Sequence, residues 1–514
     1  MLARNAPAEE AEAAPDACRA DNRDGHGRLR AWTLTAKNIK QVHTAVMSPT
    51  LITLAITVLH TALALAVTGH ALRTKRDPGS AVAWIGLAWL SPVVGSVIYA
   101  LLGVNRVRRR AQAAGVRPVV MQREPCAPPP CRTDHLDALE AAAFRLSGRQ
   151  VEVGNQIAML ENGDAAYPQM IAAIESATRS VALSSYIFRA DVAGAPFMDA
   201  LVRAQGRGVA VRVLIDGVGG GYLSSGAFRR LRRAGVPCAR FMHSALPWRM
   251  PFLNLRTHRK LLIADGSTAF MGGLNIGAEN LLATRPKHPV IDTHFHVMGP
   301  VVGQVCDAFA EQWFFATTEV LSGPQWFPRI EPRGAGCARV ITSGPDQDLE
   351  KIELLVLEAI GCARSSVKVM TPYFLPDERI ITALALAAMR GVGVDIVLPA
   401  RTNHPTIDWA MRAHIDPLLS AGCRVWAHAP PFNHSKLMAV DGIWCLIGSA
   451  NWDTRSFRLN FEVDLEAYHA PTVAQVSAKI AAHQTVLLTA AELAGRSWAA
   501  CTRDRLSRLL MPYL

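Results

Sequence analysis

The 514-residue chain contains no C-x-x-C pair, and its ten cysteines show no spacing that would hold a metal. This argues against a zinc-ribbon or iron–sulfur framework and leaves the cysteines as buried or free thiols suited to a reducing compartment. A disulfide between Cys126 and Cys131, which flank a proline run, stays open. The first 40 residues lack any long apolar segment, so no secretory leader is expected there. They are rich in Ala, Asp, Glu and Arg without apolar periodicity, and residues 1–45 are expected to form a disordered tail. Acidic residues are the minority charge: 42 Asp and Glu against 54 Lys and Arg leave a formal net charge of +12. That balance favours an anionic partner, either a membrane surface or nucleic acid.

What the chain does have is two long apolar runs. Residues 49–72 contain no Lys, Arg, Asp or Glu, and after Arg73, Lys75, Arg76 and Asp77 the chain is apolar again over residues 81–104. Each run matches the roughly 20 residues needed to cross a bilayer. Residues 46–105 are therefore expected to form a transmembrane helical hairpin. Six positive charges (Lys37, Lys40, Arg106, Arg108, Arg109 and Arg110) flank it, against three in its loop. The more positive side stays cytoplasmic, which puts the rest of the chain there. The arginine cluster also suits anionic lipid headgroups. Residues 106–150 hold Pro125, Pro128, Pro129 and Pro130, then a short Ala/Leu helix from about His135, and read as a linker.

The remainder repeats itself. Residues 151–335 and 336–514 follow one plan: a helix (167–177; 349–362), a strand ending in an aromatic-rich turn (VALSSYIFRAD; VKVMTPYFLPD), a helix (195–205; 379–389), then R-G-V and a second strand (VAVRVLID; VGVDIVLP). Alternating strands and helices imply α/β architecture, and the internal repeat implies two similar lobes.

Each half closes on the same motif, HRKLLIADGSTAFMGGLN from His258 and HSKLMAVDGIWCLIGSAN from His434. Residues two apart on a strand share a face, so His258 projects with Lys260 and His434 with Lys436. Asp265-Gly266 and Asp441-Gly442 are favoured two-residue hairpin turns. Folding back about them would set Gly273 opposite His258 with Asn275 beside it, and Ser449 opposite His434 with Asn451 beside it. An imidazole, an ammonium and an amide together suit a phosphate diester. Histidine can attack phosphorus or pass a proton, lysine supplies charge, and asparagine donates to non-bridging oxygens. One lobe offers one His and this chemistry needs two, so the lobes are expected to face a shared cleft.

Two H-x-K motifs, each followed by Asp and then G-(S/G)-x-N, resemble the phospholipase D superfamily. The longer stretches YIFRADVAGAPFMDAL, GVAVRVLIDGVG, MTPYFLPDERI and GSANWDTRSFRLNFEV resemble bacterial cardiolipin synthases, over roughly residues 45–514. The resemblance implies two phospholipase D-like lobes behind an amino-terminal membrane hairpin in the bacterial cell membrane. It implies that a phosphatidyl group passes between two phosphatidylglycerol molecules, giving cardiolipin and glycerol, with no metal and no cofactor. His258 would be the nucleophile and His434 the acid and base, the reverse being left open by symmetry. Lys260, Lys436, Asn275 and Asn451 would hold the phosphoryl oxygens, with Ser449 among the substrate-binding residues. Asp292 would reach across to His434 and Glu462 to His258. Asp265 and Asp441 carry a catalytic label by family convention, although turn positions make them structural first.

His294 and His296 share a strand face and could mimic a metal pair, but no third ligand is evident. Apolar groups should line the entrance and keep water out. Met250, Phe252 and Leu253, with Pro430, Pro431 and Phe432, are the candidates. The chain departs from the family pattern where Trp-Arg usually precedes the first-half Asp; Val290 and Ile291 stand there. Another departure is a usual tyrosine replaced around Asn280. Both bear on lipid preference. Rival readings are a hydrolytic phospholipase D, a phosphatidylserine-type synthase, a nuclease or a non-catalytic membrane scaffold. A membrane hairpin gives a nuclease little, so no nucleic-acid partner is expected.

Overall fold

The computed structural model describes residues 48–75, 78–103, 135–243, 255–345 and 348–509. The expected tail, the arginine cluster at 106–110, the proline run, Cys126, Cys131, Met250, Phe252 and Leu253 lie outside these residues. The chain divides after Ser96 into two units.

In the first unit, Ser48 caps the helix Pro49–Thr74 by accepting the Leu51 N–H, and Pro49 starts the helix where no N–H is needed. This helix is long and apolar enough to cross a membrane. Its polar side chains are satisfied internally: the hydroxyls of Thr53, Thr57, Thr61 and Thr68 each donate to the carbonyl four residues earlier at 2.8–2.9 Å. Thr68 also accepts the Trp89 indole N–H at 3.1 Å, pinning the second apolar run to the first.

That second run is not the single span the sequence suggests. It forms the helix Pro78–Leu90, bends at Ser91, and resumes as Pro92–Ile98. Pro92 removes one backbone donor and crowds the carbonyl a turn earlier, which breaks the helix there. Among the described residues, only Pro49–Thr74 is long and apolar enough to cross alone.

The second unit is built on one continuous mixed sheet. From Glu152, the strands of the first half pair in the order Glu152–Glu161, Thr293–Met298, Thr268–Gly272, Leu261–Ala264, Ser180–Ser185, Ala210–Asp216, Cys238–Phe241. From Gly336 the second half repeats that order: Gly336–Ser343, Asn460–Ala467, Trp444–Gly448, Leu437–Val440, Ser366–Met370, Gly393–Pro399, Arg424–His428. The halves join where the two leading strands run antiparallel, Glu152 beside Ala338 and Asn155 beside Gly336. In each half the last three strands are parallel and the hairpin strands antiparallel.

One face of this sheet has a core common to both halves. Phe295, Val297, Phe309 and Trp313 from the first pack with Val463, Leu465, Val476 and Ile480 from the second. The opposite face is covered separately in each half. Both hairpin strands, LLIA and LMAV, are buried throughout, which explains why they read as unbroken apolar runs.

The cysteines follow the expectation of mostly buried or free thiols except at Cys337, which is disulfide-bonded. Among the described residues six others, including Cys423 and Cys445, form no disulfide.

Candidate active site

A short strand delivers each motif histidine to the other half of the chain. Arg256–Thr257 runs parallel to Asn460–Phe461, and the His258 N–H donates to the Phe461 carbonyl at 3.0 Å. Phe432–Asn433 runs parallel to Val290–Ile291 in the same way, and the His434 N–H donates to the Ile291 carbonyl at 2.7 Å. The next residues along those partner strands are Glu462 and Asp292. Backbone pairing therefore places each carboxylate against the histidine of the opposite half. His258 Nδ1 lies 2.9 Å from Glu462 Oε1, and His434 Nδ1 lies 2.8 Å from Asp292 Oδ2.

The two imidazoles face each other edge to face, with ring centroids 6.5 Å apart. With each Nδ1 engaged by a carboxylate, Nε2 is the atom left for substrate. The residue between His and Lys points away from the site and ties the halves together. Arg259 donates to the Glu462 carbonyl at 3.1 Å, and the hydroxyls of Ser435 and Thr293 meet at 2.8 Å.

The lysines are held by the same strands. Lys260 Nζ donates to the His258 carbonyl at 2.6 Å, and Lys436 Nζ donates to the His434 carbonyl while lying 2.9 Å from His434 Nδ1. Burial pulls Lys260 down to about 7 and Lys436 to about 8. It also holds His258 well below its usual value, with Lys260 and Lys436 adding to the effect. His434 is lowered to about 3 by burial and then by Lys436, against the pull of Asp292. Burial lifts Glu462 to about 7. The site is thus a buried cluster of neutral imidazoles and weakened ammonium groups, and a bound anion would recharge them.

The hairpin register differs from the sequence expectation. Ala264 pairs with Thr268 and Val440 with Trp444, so each connection has three residues and not two. Positive φ at Asp265, Gly266, Asp441 and Gly442 makes the turn, and Ser267 or Ile443 is the extra residue. A one-residue shift changes what faces what. Ser449 therefore serves the other histidine: its hydroxyl donates to Glu462, the partner of His258, at 2.6 Å. Gly273 stands correspondingly beside Asp292, the partner of His434. A Cβ there would collide with the Asp292 carboxylate, so only glycine fits.

The motif aspartates sit at the turns, away from the imidazoles. Asp265 accepts the N–H groups of Thr178, Arg179 and Ser180, and Asp441 those of Arg364, Ser365 and Ser366. These bonds fasten each hairpin to the neighbouring strand, in line with a turn position that is structural first. Asn275 accepts the Ile187 N–H at 3.2 Å, whereas Asn451 Oδ1 is buried without a partner among the described residues.

His296 stacks on Phe270 at 4.4 Å, and burial lowers His294 to about 4. No group of three His, Cys, Asp or Glu among the described residues could hold a metal. Phe432 lies 6.0 Å from His434 between ring centroids, at the rim. Sequence reasoning missed Tyr186 and Tyr373. Their rings lie 5.1 Å from His258 and 6.3 Å from His434, although Tyr373 stands one residue later in its turn than Tyr186, Phe188 and Phe374 being the equivalent positions. A tyrosine in each aromatic-rich turn was the available signal.

A repeated sheet carrying two such facing histidines defines a phospholipase D-like protein, and the comparisons agree. The family described as "Cardiolipin synthase, PLD-like domain" matches residues 170–301 and 356–483, and "Phospholipase_D-nuclease N-terminal" matches residues 62–103. The cardiolipin synthase of Geobacillus kaustophilus is 34% identical over 414 residues, covering 78% of this chain and 81% of its own. Cardiolipin synthase A of Pseudomonas fluorescens is 34% identical over 411 residues, covering 77% of this chain and 84% of its own. A solved phosphatidylserine synthase from Haemophilus influenzae shares the fold with a TM-score of 0.57 at 14% identity, over 74% of this chain and all of its own. The chain belongs to the cardiolipin synthase family.

Proposed function

We propose that the chain transfers a phosphatidyl group from one phosphatidylglycerol to another, releasing glycerol and forming cardiolipin through a phosphohistidine. One observation carries this reading: His258 and His434 face each other at 6.5 Å, each with Nδ1 on a carboxylate from the opposite half. A donated Nδ1–H leaves the Nε2 lone pair of His258 free to attack phosphorus. The phosphorus–oxygen bond to glycerol breaks as His434 gives its Nε2 proton to that oxygen. A second phosphatidylglycerol then enters. His434 takes the proton of its hydroxyl, oxygen bonds to phosphorus, and the phosphorus–nitrogen bond to His258 breaks. Lys260, Lys436, Asn275 and Asn451 stabilise the oxygens that gain charge. The phosphate anion itself raises the histidines and lysines from their lowered values, so the site charges when substrate arrives.

In this reading the two halves are lobes over one cleft, and both apolar segments sit in the bacterial cell membrane with the lobes on the cytoplasmic side. Tethering keeps the enzyme at the surface that holds both substrates. Incubating the purified full chain with phosphatidylglycerol as the sole lipid tests the function. Cardiolipin and glycerol in equal amounts, also in a chelator, are expected. Phosphatidic acid alone would make the protein a hydrolase, and no turnover would make it a scaffold.

A further inference from the structure

The two halves present nearly the same backbone around the two histidines, but not the same side chains. Arg256 stands two residues before His258 on its short strand, and Phe432 occupies that place before His434. Side chains two apart on a strand share a face, so a guanidinium flanks one imidazole where a phenyl ring flanks the other. Farther along, the second motif has Arg455 where the first has Glu279, which is tied to Arg189 at 3.0 Å.

The fold brings both arginines to the His258 side. Arg256 pairs in register with Asn460, and Arg455 lies on the short helix Thr454–Arg458 that leads into that strand, its carbonyl accepting the Leu459 N–H at 2.8 Å. The Arg256 guanidinium lies beside Tyr186, whose ring stands 5.1 Å from His258, and donates to the Leu255 carbonyl at 2.8 Å. Arg455 is near enough to repel both Arg256 and His258. Among the described residues Arg256 makes no ion pair. The nearby Asp216 is occupied by the N–H groups of Val218, Gly219 and Thr257 at 2.8–2.9 Å. Two partly buried guanidiniums near each other, with Asp216, the acidic group beside Arg256, already taken up by three backbone N–H groups, form a ready seat for an anion.

The reacting phosphate already has its own near-symmetric holders, the histidines, lysines and asparagines of both motifs. The donor lipid carries only that one phosphate. The acceptor brings another, three carbons from its attacking hydroxyl, and the product keeps both. We propose that Arg256 and Arg455 form a second anion subsite that holds the non-reacting phosphodiester of the acceptor lipid. This rests on the transfer reaction above and adds how the enzyme selects a lipid alcohol over water or a neutral alcohol.

A competition experiment tests it. The full chain is assayed in mixed micelles of phosphatidylglycerol with added 1-butanol, a neutral acceptor without a phosphate. Cardiolipin and phosphatidylbutanol are measured from the same tube for wild type, Arg256→Gln, Arg455→Gln and the matching lysine variants, with thermal melts confirming the fold. The ratio of cardiolipin to phosphatidylbutanol is expected to fall about tenfold in each glutamine variant, with a higher KM for the lipid acceptor, because a charged hydrogen bond to the phosphate is lost. Lysine should recover part of the ratio. An unchanged ratio in the variants, whether both products fall together or neither does, overturns the subsite alone. A wild type that makes phosphatidylbutanol but no cardiolipin overturns the transfer reading and the subsite's occupant with it.

Discussion

Ser449 and Glu462 meet at 2.6 Å, and through this bond the second motif steadies the histidine of the first. Glu462 also accepts from Asn460 at 3.2 Å, so the carboxylate that orients His258 is fixed from two sides. Asp292, a shorter side chain, orients His434 from beside Gly273, with the Thr293 N–H on its Oδ1 at 2.8 Å. The two halves solve one problem with different lengths: a long acid with a serine, a short acid with a glycine.

That pairing predicts coupled substitutions. Gly273→Ser should abolish activity, because its Cβ would displace the Asp292 carboxylate. Gly273→Ser combined with Asp292→Glu copies the other half and should regain part of the lost kcat. A double variant no better than the single one would contradict this.

Glu462→Gln and Asp292→Asn should each lower kcat by roughly 10²-fold or more, the usual scale of acid–base catalysis, while the melting curve shows a folded protein. Each amide can still accept the Nδ1–H but no longer stabilises an imidazolium. Loss of kcat in only one variant would mean that the two carboxylates are not equivalent supports.

The motif aspartates should behave as fasteners. Asp441→Asn gives up charge-assisted bonds to three backbone N–H groups and should cost about 2 kcal/mol of stability, read as a lower melting temperature, with activity per folded molecule kept. Burial opposes ionisation of Asp441, but the N–H groups of Ser366, Arg364 and Ser365 outweigh it and hold the group at about 2. Its folded value is thus depressed, so its stabilisation is present above the unfolded carboxylate range, near pH 4, and is lost as pH falls toward 2. The variant should lack that acid-side loss.

The alkaline side of kcat/KM should report the lysines. Burial lowers Lys260 to about 7 and Lys436 to about 8, so activity should decline as pH rises through about 7 to 8 and the charge on the phosphate holders is lost. Lys436→Arg, whose guanidinium stays charged, should move the upper part of the decline to higher pH and leave the part set by Lys260. An unmoved limb would assign it to another group.

Much of this was legible in the sequence because the repeat is. Matching helix–strand–turn blocks gave the α/β plan, and two H-x-K motifs named the histidines and lysines. The hairpin register was not legible: Asp-Gly suits two- and three-residue connections alike, and the choice depends on Ser267 and Ile443 completing each turn. The break at Pro92 was visible as a proline, but an apolar run hides it from a simple length test. Arg256, Tyr186 and Tyr373 lie outside the motifs, and only the pairing of distant strands brings them to the imidazoles.

The central claim is that His258 and His434 act on one phosphorus atom, and a set of three variants tests it most directly. Cardiolipin formation should be abolished in His258→Ala and in His434→Ala, and the double variant should be no worse than either, because a catalytic unit is lost once. Substantial turnover in either single variant, or losses that multiply in the double, would show two independent sites and contradict the account.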